Sequence, residues 1–212
     1  MKLYYSPGAC SLATHIMLEW IGRPYEIHQV KLHAGKSPEL VAANVMGSVP
    51  VLEDQGWTLS QNSAVSNYLA DMNPQAKLGG DGTPQGRAEV NRWFGFFNSD
   101  MHPSFKPLFG ATRYLGDDTM IEKSREDARA RLRRQFEIVN TQLAGRDWIA
   151  GTRSFADPYL FVLIRWAKGQ KVNLAGLHHI ETFYRHMQAD PAVQKALTQE
   201  ATPAPELERH GH

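Results

Sequence analysis

The sequence predicts a mixed α/β domain followed by an all-helical domain. Over residues 1–77, short β-prone runs alternate with runs whose apolar residues have helical spacing. Residues 78–86 belong to a stretch rich in glycine and proline with no periodicity, which predicts a linker. Over residues 87–212 the strand signals fade and helical spacing continues. We therefore place the domain boundaries on either side of 78–86.

The first domain begins with a predicted strand, helix and strand. The β-prone run KLYY ends at the turn residues Pro7-Gly8, and Gly22 is expected to end the following helix. Apolar residues four apart predict that helix: Leu12, Ile16 and Trp20. A second strand follows at PYEIHQVKL. A strand, helix and strand this close in sequence form a βαβ unit, whose two strands should be parallel.

The remainder of the first domain completes the order β-α-β-α-β-β-α. A short helix is predicted over 38–43. Two apolar runs, 51–53 and 57–59, flank Asp54-Gln55-Gly56, which predicts a hairpin. Helical spacing returns after Asn62, and Asn62 or an immediate neighbour is expected to be the N-cap.

Four helical segments are predicted in the second domain: RAEVNRWFGFFNSDMH, TMIEKSREDARARLRRQFEIVNTQLAG, DPYLFVLIRWAKGQKV and LHHIETFYRHMQADPAVQKAL. Before the third segment, Ser154 and Asp157 have the spacing of a capping box, and Pro158 lies just inside the helix start. We interpret this motif as structural.

Composition excludes several classes of protein. A single cysteine cannot form a disulfide within the chain, which favours the reducing cytoplasm. The N-terminus lacks the apolar run of a signal peptide, and no run is long enough to span a membrane. With 23 Lys+Arg and 22 Asp+Glu, no global charge favours nucleic acid or an anionic membrane. Adjacent histidines at His178-His179 point in different directions on a helix, so no metal site is predicted.

Cys10 is the only cysteine, and it follows a turn at the predicted start of a helix. A helix N-terminus lowers a thiol pKa, because its unpaired N–H groups favour negative charge. A lone cysteine is equally compatible with a small apolar residue that fills a gap. The residues around Cys10 leave both interpretations open.

Two further sequence features are candidates for a functional site together with Cys10. Pro50 stands at the start of a predicted strand, where it cannot donate to the ladder, and a cis Val49-Pro50 bond would explain its position. The polar cluster 61–63 at a predicted helix start suits an anionic group, or is simply a helix cap.

Taken together, four sequence blocks resemble a known family of proteins. The blocks YYSPGACSLATHI, NVMGSVPVLED, LSQNSAVSNYLAD and SFADPYLFVLIRWA have the order and rough spacing seen in cytosolic glutathione transferases. The chain most resembles the bacterial beta class, in which a cysteine stands at this point of the first βα junction. The resemblance implies a thioredoxin-like N-terminal domain, an all-helical domain and a homodimer. It also implies that glutathione lies in the first domain and a hydrophobic electrophile between the domains.

The resemblance also implies roles for particular residues. Cys10 would face the glutathione sulfur, Val49 before cis Pro50 would pair its backbone with the cysteinyl part, and Gln61 and Asn62 would hold the γ-glutamyl end. His102 matches a histidine that reaches the active site, and Trp166 an aromatic on the wall between the domains. The remaining candidates are Tyr5, where the family has a residue that can touch the thiol, Lys36 as a glutathione ligand, and Ser99 and Asp100 as contacts to glutathione in the other subunit.

The chain departs from the family pattern at three points. Asn44-Val45-Met46-Gly47 replaces the usual Asn-Pro-x-Gly, and Asn62 replaces a common serine. Pro103 follows His102 where a lysine is frequent, and a proline inside a helix should kink it. These departures affect the loop before Pro50 and the position of His102.

The resemblance implies an enzyme that conjugates glutathione to hydrophobic electrophiles. Cys10 would also permit monothiol thiol-transferase or peroxidase activity through a mixed disulfide. Dithiol chemistry is excluded, because Ala13 stands where a second cysteine would be needed. The alternative is a non-catalytic relative that binds a hydrophobic ligand or a protein partner.

Overall fold

The computed structural model describes residues 1–32 and 37–201. The first domain has the predicted order of elements: β1 (Lys2–Tyr5), α1 (Ser11–Ile21), β2 (Glu26–Gln29), α2 (Pro38–Ala43), β3 (Val51–Asp54), β4 (Trp57–Ser60) and α3 (Asn62–Met72). Their sheet has the order β2-β1-β3-β4. As predicted for the βαβ unit, β1 and β2 are parallel, whereas β3 is antiparallel to both of its neighbours.

Local chain signals account for the turns of this domain. Gln55 and Gly56 connect β3 to β4 with φ angles of 51° and 80°, and a two-residue hairpin of this kind requires two positive φ angles. Gly22 ends α1 in the left-handed conformation, and its N–H donates to the Leu18 carbonyl. The predicted hairpin and the predicted helix end are both confirmed.

The second domain is helical: α4 (Pro84–Gly95), a π-helical turn (Phe96–Met101), α5 (His102–Ser104), α6 (Asp118–Gln142), α7 (Ala156–Gly169), α8 (His178–Ala189) and α9 (Pro191–Ala201). The first turn of α4 lies inside the segment predicted as a linker. The last predicted helical segment is divided, because Asp190 is extended and Pro191 has no N–H to continue α8. No helix in the described ranges is long and apolar enough to cross a membrane.

Pro103 affects the helix that carries His102. The residues before it form the π-helical turn, and α5 itself is only three residues long. Proline removes one backbone donor from the helix, and each residue inserted by a π-turn rotates the later part of the helix by about 100°. Next to Pro103 the helix thus changes type, from the π-helical turn to the three residues of α5.

Helix α1 packs between the sheet and the second domain. Every residue from Ser11 to Leu18 is buried, and the helix contacts β1 and α3 of the first domain and α7 and α9 of the second. One apolar cluster contains residues of both domains, including Leu12 and Ile16 of α1 and Leu160 of α7. The two domains thus share a core, and the N-terminus of α1 lies at their boundary.

The start of α7 is held by the predicted capping box. The Ser154 hydroxyl donates to Asp157 Oδ2 over 2.9 Å, and the N–H groups of Ser154 and Ile149 donate to the same carboxylate. The Ala156 N–H donates to Ser154 Oγ. Burial raises the pKa of Asp157 to about 7, although the hydrogen bonds act to lower it. The motif joins α7 to the preceding loop and stabilises it.

We expect Ser154→Ala to lower the free energy of unfolding by about 1–2 kcal/mol, because the buried Asp157 carboxylate loses a donor and the Ala156 N–H loses its acceptor. The melting temperature should fall by several degrees, while glutathione affinity, measured by calorimetry, stays unchanged. Thr182→Ala on the exposed face of α8 is the matched control. Equal melting temperatures for Ser154→Ala and the parent would contradict this interpretation.

Candidate functional site

Cys10 is the N-cap residue of α1 and is partly buried. Its thiol donates to the Val49 carbonyl, with 3.3 Å between Sγ and the oxygen. Burial raises the pKa of Cys10 to about 11, and the backbone N–H groups of Cys10 and Ser11 lower it by less. In the free protein the effect of burial on this thiol is therefore larger than that of the helix N-terminus. At neutral pH Cys10 is protonated.

Val49 and Pro50 form the surface that faces Cys10. Both residues are buried directly before β3, and the peptide bond between them is cis. The predicted cis bond is confirmed. The Val49 carbonyl accepts from the thiol at the start of α1.

Gln61 and Asn62 stand at the start of α3 and have different surroundings. Gln61 is the N-cap, is exposed, and has a φ of 73°, an uncommon conformation for a residue other than glycine. Its side chain makes no capping hydrogen bond, and the first turn of α3 contains no acidic residue. Asn62 is buried, and its Oδ1 accepts from Thr14 Oγ1 of α1 over 3.3 Å. Asn62 therefore connects two helices, and the N-terminus of α3 has no anionic side chain.

His102 lies on the other side of the domain boundary. Its Nδ1 is 2.6 Å from the hydroxyl of Tyr159 on α7. Burial lowers the pKa of His102 to about 4, and the nearby positive charge of Lys106 lowers it further. His102 is consequently neutral at physiological pH.

Trp166 joins the two domains at this point. Its indole N–H donates to the Gly8 carbonyl over 2.8 Å, so it holds the loop that leads to Cys10. Its ring centroid is 4.8 Å from that of His102, and the rings of Phe105 and Phe109 also lie edge-on to it. These four rings form an aromatic wall beside the loop.

Tyr159 is the main site residue that the sequence reasoning missed. The sequence pattern places it only in the apolar run of α7, and its ring is indeed fully buried. A signal was available, because residues seven apart, such as Tyr159 and Trp166, lie on the same face of a helix. Asn98 was also missed, and its Oδ1 is 3.4 Å from the Tyr159 hydroxyl.

Among the described residues, Tyr5, Ser99 and Asp100 make no hydrogen bond to the Cys10 thiol. Tyr5 is buried and packs on His15, with ring centroids 5.8 Å apart. Ser99 and Asp100 are exposed on the π-helical turn. Lys36 lies outside the described residues.

A second contact that the sequence did not indicate holds the loop before Cys10. Glu200 of α9 accepts from the Gly8 N–H over 2.8 Å through one carboxylate oxygen. Its other oxygen is 3.1 Å from Nδ1 of the buried His15. Gly8 is therefore fixed by α9 through its N–H and by Trp166 through its carbonyl.

Comparison with known proteins agrees with this geometry. Residues 1–71 match the family model described as "Glutathione S-transferase, N-terminal domain", and residues 103–191 match that of the C-terminal domain. The chain is 50% identical over 201 residues to a glutathione S-transferase of Xanthomonas campestris, which covers 94% of this chain and 98% of the relative.

Two solved structures are similar over most of the chain. A sphingomonad glutathione S-transferase complexed with glutathione is 32% identical, with a TM-score of 0.85, and the match covers 96% of this chain and all of that one. A beta-class glutathione S-transferase of Sphingomonas chungbukensis is 30% identical, with a TM-score of 0.84, covering 94% and 98% of the two chains. Sequence and fold thus agree along both domains.

We expect Cys10 to react slowly with iodoacetamide at neutral pH, because a thiol with a pKa of about 11 holds little thiolate there. The rate of alkylation of Cys10, followed by mass spectrometry, should rise about tenfold per pH unit up to about pH 10. Cys10→Ser should take up no label at a thiol, since the chain has one cysteine. An alkylation rate that levels off just above about pH 8.5, as for an ordinary thiol, would refute the effect of burial.

Proposed function

The chain belongs to the glutathione S-transferase family, and we propose that it is a beta-class enzyme that conjugates glutathione to hydrophobic electrophiles. The observation that carries this proposal is the position of Cys10. Its thiol lies at the N-terminus of α1, against the carbonyl before a cis proline, beside the boundary with the helical domain. A glutathione sulfur at this point would be between the two domains.

Glutathione would bind along the first domain. The cysteinyl part would pair with the backbone of Val49, whose carbonyl is close to the thiol of Cys10. The γ-glutamyl carboxylate would lie at the N-terminus of α3, where N–H groups without an acidic neighbour favour an anion. Gln61 supports this placement, because its side chain makes no capping bond that would occupy those N–H groups. We include Lys36 as a further ligand on the resemblance alone.

The N-terminus of α1 supplies the chemistry at the sulfur. The N–H groups of Cys10 and Ser11 favour negative charge beside Cys10, and they would stabilise the thiolate of bound glutathione in the same way. The glutathione thiol loses its proton to solvent, and the resulting thiolate attacks the electrophile. Cys10, which is protonated, can donate a hydrogen bond to that thiolate.

The electrophile would lie against the aromatic wall of His102, Phe105, Phe109 and Trp166. Phe109 is 48% exposed, so the wall has an apolar surface open to a ligand. Trp166 binds the Gly8 carbonyl, and therefore holds this surface next to the loop that leads to the thiol site. A planar hydrophobic electrophile is the class of substrate that such a surface favours.

A second activity, monothiol thiol transfer, is supported by the lone thiol and its two N–H neighbours. The Cys10 thiolate would attack a glutathione mixed disulfide, forming a bond to the glutathione sulfur and releasing the other thiolate. A second glutathione thiolate would then attack that bond, releasing oxidised glutathione and restoring Cys10. The reducing cytoplasm, where we place the protein, would keep Cys10 available. The raised pKa of Cys10 makes this the slower route.

We also propose a homodimer, in which the exposed Ser99 and Asp100 of one subunit contact glutathione in the other. Light scattering should then give a mass of twice 23.8 kDa. Ser99→Ala combined with Asp100→Asn should raise the KM for glutathione without changing that mass. A monomeric mass would exclude both the dimer and the shared site.

We expect the protein to be retained on immobilised glutathione and to conjugate chlorodinitrobenzene. Cys10→Ala should lower kcat/KM for conjugation by about tenfold or less, since it removes one hydrogen-bond donor. The same change should abolish thiol transfer, because it removes the nucleophile. Cys10→Ser, which keeps a donor, should conjugate nearly as well as the parent.

The outcomes separate the alternatives. Retention on glutathione without turnover of any electrophile would favour a non-catalytic binding protein. If Cys10→Ala transfers thiols as fast as the parent, thiol transfer does not proceed through a mixed disulfide between Cys10 and glutathione.

A further inference from the structure

Met46 is an exposed methionine in the loop that leads to Val49 and Pro50. The residue is 58% exposed, whereas Asn44 in the same loop is buried. Oδ1 of Asn44 accepts from the Met46 N–H over 3.2 Å, and Nδ2 of Asn44 donates to the Ser48 carbonyl over 2.9 Å. The backbone of Met46 is therefore fixed by Asn44, while its side chain is open to solvent.

The sulfur of Met46 contacts the side chain of Gln61 at the start of α3. Nε2 of Gln61 donates to Sδ of Met46, with 3.5 Å between the two atoms. A thioether sulfur accepts a hydrogen bond but cannot donate one, so the amide nitrogen of Gln61 is the atom that faces it. The carbonyl oxygen Oε1 is consequently directed away from the sulfur, and no described residue donates to it.

This orientation of Gln61 suits the γ-glutamyl end of glutathione, which carries an ammonium group beside its carboxylate. The N–H groups at the start of α3 favour the carboxylate, whereas the ammonium group donates hydrogen bonds and needs an acceptor. Oε1 of Gln61 is an acceptor at the same helix start. Met46 thus fixes the orientation of a side chain that the proposed glutathione site uses.

We propose that Met46 is a site of reversible oxidation that controls the affinity for glutathione through Gln61. The oxidant is a hydroperoxide, which transfers one oxygen atom to Sδ of Met46 to give methionine sulfoxide. The O–O bond breaks, the sulfur loses two electrons, and the peroxide is reduced to water or an alcohol. The oxidation is a property of the free protein, whereas its effect on glutathione rests on the proposed function.

Oxidation would disturb the contact between Met46 and Gln61 in either stereochemical form of the sulfoxide. An oxygen added on the lone pair that faces Nε2 would occupy the 3.5 Å gap between the sulfur and the nitrogen. An oxygen added on the other lone pair is a stronger acceptor than the sulfur and would draw the amide towards itself. Gln61 is exposed and has room to move. Oε1 then leaves the position that the ammonium group requires, and glutathione binds more weakly.

Oxidation and binding can be measured on the same protein sample. The protein is treated with hydrogen peroxide and then with dithiothreitol, which restores Cys10 from a disulfide or a sulfenic acid but does not reduce methionine sulfoxide. Mass spectrometry of peptides identifies the oxidised methionines, and calorimetry gives the Kd for glutathione. We expect the Kd to rise about tenfold, because a hydrogen bond to a charged group is lost. Treatment with methionine sulfoxide reductases should restore the Kd.

Two variants locate the effect. Met46→Leu keeps a similar volume without sulfur, and its Kd should not respond to peroxide. Before oxidation, its Kd should be raised about threefold or less, since only a weak acceptor is lost. Met120 on α6 is 55% exposed and should be oxidised as readily as Met46, so Met120→Leu is the matched control. Its Kd should rise with peroxide as in the parent protein.

NMR tests the movement of Gln61 without glutathione. We expect the side-chain amide signal of Gln61, assigned by its loss in Gln61→Glu, to shift when Met46 is oxidised. The signal should stay in place when only Met120 is oxidised, as in Met46→Leu treated with peroxide.

The possible results separate this proposal from the proposed function. A peroxide-dependent loss of affinity in Met46→Leu would overturn the proposal, because another residue would then be the site. The same conclusion follows if Met46 stays reduced while Met120 is oxidised, or if oxidation of Met46 leaves the Gln61 signal or the Kd unchanged. A protein whose Gln61 signal shifts on oxidation but that binds no glutathione before it would contradict the proposed function and the control of affinity, and leave only the oxidation of Met46 standing.

Discussion

The burial of α1 between the sheet and helices α7 and α9 is the constraint on which the rest of the molecule depends. Helix α1 contacts elements of both domains, and one apolar core contains residues of both. The N-terminus of α1 therefore lies at the domain boundary. The loop before it is held on both sides, by Glu200 at the Gly8 N–H and by Trp166 at the Gly8 carbonyl. The position of the loop before Cys10 is therefore set by side chains of the second domain.

The same burial decides the chemistry of Cys10. A helix N-terminus favours the thiolate, and desolvation favours the thiol. Here desolvation is the larger effect, so the free protein holds a protonated thiol that donates to Val49. His102 is neutral for the same reason. The site thus contains hydrogen-bond donors and few charges, an environment suited to stabilising a thiolate supplied by a ligand.

Much of the fold and part of the site were predictable from local sequence signals. The βαβ unit, the Gln55-Gly56 hairpin, the Gly22 helix end and the capping box at Ser154 each follow from a short pattern with one physical cause. The family resemblance implied that Cys10 and Val49 both line a glutathione site, but not that the Cys10 thiol donates to the Val49 carbonyl. Tyr159 was missed because its spacing to Trp166 shows only a shared helix face, and nothing in the sequence shows which polar atom its buried hydroxyl contacts. Pro103 indicated a disturbed helix, but not the π-helical turn.

By itself the sequence determined the order of the elements, their caps and turns, and the family to which the chain belongs. The elements, caps and turns depend on spacing and on backbone preferences that act over a few residues, whereas the family was indicated by the resemblance of four ordered sequence blocks. Only the tertiary structure decided that Cys10 is protonated, that Asn62 accepts from Thr14, and that the Tyr159 hydroxyl lies 2.6 Å from Nδ1 of His102. Desolvation and hydrogen bonding depend on residues far apart in the chain, and those residues meet only when the two domains pack around α1.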